Sequence, residues 1–160
     1  MTISDQVKRL NYTVADMIKC IEILNPDLFL EKINNRWSSR DMIAHLAGWN
    51  RHIIIGSGQI IDGELPFYDI DPGENYSNVN ASLIQEYSSQ DKNELIEELN
   101  KSTMELAEYL QSLDQDTWEK DFGVRHAGEI VTIKDTVDEL IDDYSHHTAQ
   151  IEKWSKNRIN

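Results

Sequence analysis

Asp143 and His147 stand four residues apart in the stretch Asp142-Asp143-Tyr144-Ser145-His146-His147. On a helix that spacing lets two side chains reach one ion. The stretch carries a helical apolar stripe, Ile133, Val137, Leu140, Tyr144, His147 and Ile151. At about 100° per residue, His147 falls about 40° from the centre of that stripe and Asp143 about 80° on the same side. Both are expected on the core side of the helix. His146 and Asp142 fall about 140° and 180° away and are expected in water. An aspartate and a histidine so spaced also make an ordinary hydrogen-bonded edge pair, so metal chemistry turns on a third residue.

His45 is that residue. Met42, Leu46, Trp49, Ile53 and Ile60 mark one face of a second helix, and His45 lies about 60° to the side of it, still inward. His52 lies about 80° to the same side, but seven residues on and roughly 10 Å along the axis. It is expected to wall a pocket rather than to share an ion with His45. Two imidazoles and a carboxylate with coordination positions left over form a catalytic rather than a structural donor set. Zinc, nickel, iron and manganese all suit it, acting on a water or a thiol in the open position.

The elements that must carry these residues follow from periodicity and stop signals. Residues 2–24 read as a helix, stopped by Asn25-Pro26-Asp27. Ser38 and Asp41 form a capping box that opens the second helix, and Gly56, Gly58 and Asp62-Gly63 weaken and end it. Residues 62–76, with two prolines and several turn formers, read as a crossover in which Phe67, Tyr68 and Tyr76 are available as a cover. A short helix over 78–88 precedes a long one over 93–113, with Leu95, Leu99, Met104, Leu106 and Leu110 inward. Asp114 to Trp118 suits one turn, and an irregular link holding His126 leads to Thr132-Ile133-Lys134-Asp135, a second capping box. No strand-type alternation is long enough to build a sheet. The expected fold is all-α, a single-domain four-helix bundle over 1–160 with a long crossover between the second and third long helices.

Bulk composition bounds the partners. The chain has 160 residues and a net charge of −14, from 29 acidic and 15 basic residues. Such a balance argues against polyanionic partners, so neither nucleic acid nor a membrane surface is expected. One cysteine, Cys20, excludes an internal disulfide and is expected to be buried. With no secretory signal and no apolar run near membrane length, the expected location is the cytoplasm.

Trp37-Ser38-Ser39-Arg40-Asp41-Met42-Ile43-Ala44-His45-Leu46-Ala47-Gly48-Trp49 resembles the signature of the DinB/YfiT-like metalloenzyme superfamily, and His147-Thr148-Ala149-Gln150-Ile151 resembles its closing motif. The likeness spans roughly residues 2–156. It is greatest to the DfsB/ClbS-like branch and to the N-terminal domain of mycothiol-dependent maleylpyruvate isomerase. The resemblance implies an up-down-down-up bundle and a metal on three histidines. His45 and His147 match two of them, and Asp143 stands where the third is usual. An oxygen ligand alters the metal preference, and the same change fits a member that has given up its metal.

Two readings follow. In the first, His45, Asp143 and His147 hold a divalent ion. Trp49, His52 and Tyr144 lie near the pocket, and Gln150 backs the ligands as a partner behind them. The resemblance implies thiol-dependent transfer or isomerisation, with a low-molecular-weight thiol as cofactor, or hydrolysis of a small-molecule substrate. In the second, the chain is a metal-free small-molecule-binding or self-protection protein of the ClbS-like type, assembled as a homodimer through one bundle face.

Overall fold

Reciprocal caps start three of the four long helices. In the computed structural model, which describes residues 1–158, α1 (Ile3–Ile23) begins where Thr2 and Asp5 each accept the other's backbone N–H. The Ser38–Asp41 pair does the same for α2 (Ser39–Ile61), and Asp91–Glu94 for α4 (Lys92–Ser112). Each such cap contributes about 1 kcal/mol. The fourth long helix, α6 (Ile133–Lys156), has only half of its expected box: the Thr132 hydroxyl accepts from the Asp135 N–H at 3.1 Å, with no return bond. Between these run α3 (Ser77–Glu86), the single turn α5 (Gln115–Glu119), and a hairpin of β1 (Arg125–His126) and β2 (Glu129–Ile130).

Cross-links between helix ends give the directions. Arg40 at the start of α2 donates to the Gln90 carbonyl just before α4, at 2.8 Å, so α2 and α4 run parallel. Gln6 near the start of α1 donates to the Lys134 carbonyl and to Asp138 near the start of α6, both at 3.0 Å, so those two run parallel as well. Between α2 and α6 the order reverses: Trp37 before α2 lies against His147, while Asn50 further along meets Tyr144. The result is the up-down-down-up bundle, in which α1 and α2 each pack on both α4 and α6. Leu10, Met17 and Ile21 of α1, Met42 and Leu46 of α2, Leu95 and Leu99 of α4, and Val137 of α6 are wholly buried in its core. Each such aliphatic side chain contributes about 2 kcal/mol on leaving water. Among the described residues no helix is long and apolar enough to cross a membrane.

Two local expectations need correction, and the end of α2 is met as expected: the helix passes through Gly56 and Gly58 to Ile61, and Gly63 turns the chain with φ +78°. Gly56 makes room: a Cβ there would lie 2.5 Å from the ring of Tyr68. Met104 is exposed rather than inward, because Ser102 and Thr103 take the buried face of α4. They are drawn there by Asn50, whose amide donates to both hydroxyls at 2.9 and 3.0 Å. His126, expected in an irregular link, lies in β1 of the hairpin.

Candidate metal centre and its cavity

The middle turns of α6 and the second turn of α2 face each other across the antiparallel pair, and this brings His45, Asp143 and His147 together. One donor atom from each lies within 4.8 Å of the other two. His45 Nε2 is 3.4 Å from Asp143 Oδ2, and His147 Nε2 is 3.2 Å from Asp143 Oδ1. Both histidines are buried, and Asp143 is half-buried.

The other nitrogen of each ring is occupied. His45 Nδ1 lies 3.3 Å from the Asp41 carbonyl oxygen, which only accepts, so a proton on Nδ1 satisfies that contact and frees Nε2 to act as a ligand. His147 Nδ1 lies 2.8 Å from Gln150 Oε1, which gives that ring the same tautomer. Burial pushes the His45 pKa down, against the opposing pull of Asp143, and so favours the neutral ring. A neutral ring protonated at Nδ1 turns the lone pair of Nε2 toward a carboxylate oxygen. Burial works against charge on Asp143, but the adjoining rings of His147 and then His45 hold its carboxyl well below the usual range. Lone pairs on two rings and an ionised carboxylate, converging on one point, suit a cation between them. The donor set fits a divalent ion of borderline softness, and the partners at both Nδ1 atoms fix the rings as such sites require.

A cavity of about 630 Å³ opens from this trio. Trp37 roofs it, with its ring 4.5 Å from that of His45 and 5.6 Å from that of His147. Trp49 forms a side wall, its indole N–H donating to Asn80 Oδ1 at 2.7 Å. The crossover supplies Tyr68 and Tyr76, which meet Trp49 edge to face at 4.9 and 5.4 Å. Glu139, one turn before Asp143 on α6, completes the wall. Burial first, then the carboxylates of Asp135, Asp69 and Asp142, push its pKa up.

The remaining expected residues divide. Trp49 lines the cavity, and Gln150 backs His147 rather than Asp143. His52 is not among the lining residues: its ring packs outside, against Trp49 at 5.8 Å and Phe67 at 4.8 Å. Tyr144 is wholly buried behind the site, its hydroxyl donating to Asn50 Oδ1 at 2.8 Å. His146 and Asp142 are exposed at the cavity rim. Cys20 is buried, and burial with Glu152 and Asp16 pushes its thiol up to about 11, which removes it as a nucleophile. Sequence reasoning passed over Glu139, although it precedes Asp143 by the same four residues that separate Asp143 from His147.

The profile of the DinB superfamily matches residues 9–151. The chain belongs to that superfamily. Several solved structures share its fold. DfsB, described as a sibling lethal factor precursor, is 13% identical, with a TM-score of 0.83 over 100% of this chain and 98% of its own. The colibactin self-resistance protein ClbS, solved in complex with a dsDNA, is 14% identical, with a TM-score of 0.78 over 97% and 96%. The mycothiol-dependent maleylpyruvate isomerase is 16% identical, with a TM-score of 0.74, and 94% of this chain covers 61% of that one. No curated protein matches in sequence.

The ClbS complex corrects one expectation. Nucleic acid was excluded on net charge, yet a protein of this fold has been solved on a DNA duplex. Net charge sums over the whole surface, whereas binding depends on the local field of one face, so the total of −14 excludes no such partner.

Proposed function

We propose that this DinB-superfamily chain is a metal-dependent enzyme acting on a small molecule in the 630 Å³ cavity, with His45, Asp143 and His147 as the ligands. The observation that carries this reading is the convergence of His45, Asp143 and His147, with one donor atom of each within 4.8 Å of the other two, while the remaining nitrogen of each ring is held from behind. A divalent ion bound there supplies Lewis acidity toward a substrate oxygen or a thiol sulfur. The chain's own part is to hold the donors: Asp41 and Gln150 fix the two rings, and Trp37 covers them from water. Transferase, isomerase and hydrolase chemistry all suit an open coordination position. A low-molecular-weight thiol is proposed as cosubstrate on the likeness to the mycothiol-dependent isomerase.

The test is metal content by mass spectrometry on untagged protein, beside His45→Ala and His147→Ala. About one equivalent in the parent, lost in both variants, is expected. Cobalt-loaded protein then gives a sulfur-to-cobalt charge-transfer band on addition of a thiol if the cosubstrate is correct. No metal in the parent after incubation with zinc, nickel or manganese overturns the enzyme reading. It leaves the second one, a metal-free small-molecule-binding or self-protection protein, which the likeness to ClbS favours. Because ClbS was solved with DNA, a labelled duplex belongs among the ligands titrated in that case.

A further inference from the structure

We infer that the cavity selects an organic cation, a protonated amine or quaternary ammonium on an aromatic or apolar body, with Glu139 as its counter-charge and Trp49, Tyr68 and Tyr76 as its cage. The inference rests on the reading of the cavity as a small-molecule site, but not on the metal.

Three observations carry it. The first is charge. Glu139, Asp142 and Asp143 line the cavity against a single cationic side chain, Arg36, which is exposed at the mouth with its guanidinium 5.4 Å from the centre of the Trp37 ring. Among the described residues Glu139 and Asp142 form no ion pair with a side chain of the protein, whereas Asp143 is engaged by both histidines. Burial first, and then the neighbouring carboxylates, raise the Glu139 pKa, and a ligand cation offsets both.

The second is the aromatic corner. Trp49 stands at 73° to Tyr68 and 84° to Tyr76, so the rings meet as the sides of a box rather than as a stack. Boxes of this kind receive ammonium groups, because each ring presents its negative face to the cation.

The third is that the corner is held in advance. Asn80 fixes the indole of Trp49, and the Tyr76 hydroxyl donates to the buried Asp69 carboxylate at 2.6 Å. Tyr76 keeps a left-handed backbone, φ +60°, next to Asn75 at φ +53°. Side-chain-bearing residues seldom hold that conformation without outside contacts to maintain it, and such strain concentrates at ligand sites.

The test compares tryptamine with indole-3-propionate, two probes of similar size and opposite charge, by calorimetry on metal-loaded and on chelator-treated protein. The amine is expected to bind at least about tenfold tighter than the acid in both forms. Glu139→Gln should reduce that preference to about threefold or less, with metal content unchanged and no loss of melting temperature. Tyr76→Leu, a second variant away from the carboxylate, should weaken the amine several-fold more than the acid. Equal or tighter binding of the acid, failure of the amine to bind, or a preference that survives Glu139→Gln each overturns the inference. Absence of metal alongside an intact amine preference overturns only the metal reading, and metal without any preference overturns only this one.

Discussion

Two polar clusters adjoin on α2 and α6, and they differ in what they leave open. Around Asn50, the side-chain amide donates to Ser102 and Thr103, and its oxygen accepts from Tyr144. All four residues are buried, and each of these polar atoms meets another from the protein. Around Asp143, the contacts are longer, the donor atoms converge on one point, and one side opens on the cavity. The first cluster is closed and ties α2, α4 and α6 together. The second is held in place by residues behind it and is incomplete in itself. A bundle can place similar side chains on neighbouring turns and use one set for cohesion and the other for chemistry; the difference lies in whether the last partner is part of the chain.

That contrast can be broken at either cluster. The largest effect on stability is expected from Asn50→Ala, which takes its partner from Thr103 and leaves Ser102 only the Leu99 carbonyl and Tyr144 only a 3.5 Å contact with the Leu46 carbonyl. It should cost about 3 kcal/mol in denaturant unfolding, and the folded protein should keep its metal. Gln150→Leu acts on the other cluster. It frees the His147 ring to turn and should weaken zinc affinity about tenfold, measured by competition with a chelating dye. The unfolding midpoint of the metal-free variant should match that of the parent. An equal loss of stability in both variants would erase the distinction.

The smallest effect sharpens the comparison through pH. The folded Glu139 carboxyl holds its proton more tightly than the unfolded chain does, so its charge at neutral pH costs the folded state. Glu139→Gln removes that cost, and the variant should melt above the parent at pH 7. The difference should shrink as pH falls and vanish below about 4, where the carboxyl is protonated in both states. A variant that melts below the parent at pH 7 would mean that Glu139 belongs to a closed network instead.

The long helices were legible because caps and stripes act locally. Ser38, Asp41 and the stripe of Met42, Leu46, Trp49 and Ile53 define α2 without reference to any other part of the chain. His45, Asp143 and His147 could be placed together because two helical phases and one bundle topology suffice to orient them. Met104 failed because phase alone ranks it above Ser102 and Thr103, and only the partner Asn50 on another helix reverses that order. The hairpin was invisible: Ala127-Gly128 turns it with both residues at positive φ, but alanine gives no signal for such a turn where asparagine or aspartate would. Tyr68 and Tyr76 were noted as a cover without a destination, since their positions depend on a crossover and on the space left by Gly56.

The parallel course of α2 and α4 has a consequence for how this architecture can vary. Two parallel neighbours cannot be joined by a tight turn. The chain must climb back along the 23 residues of α2, about 35 Å, before α4 can begin. The segment that supplies Tyr68 and Tyr76 is therefore obligatory in length while free in sequence. Natural or laboratory diversification can rewrite its side chains at little risk to the bundle, whereas deletions within it would sever the connectivity on which the bundle depends.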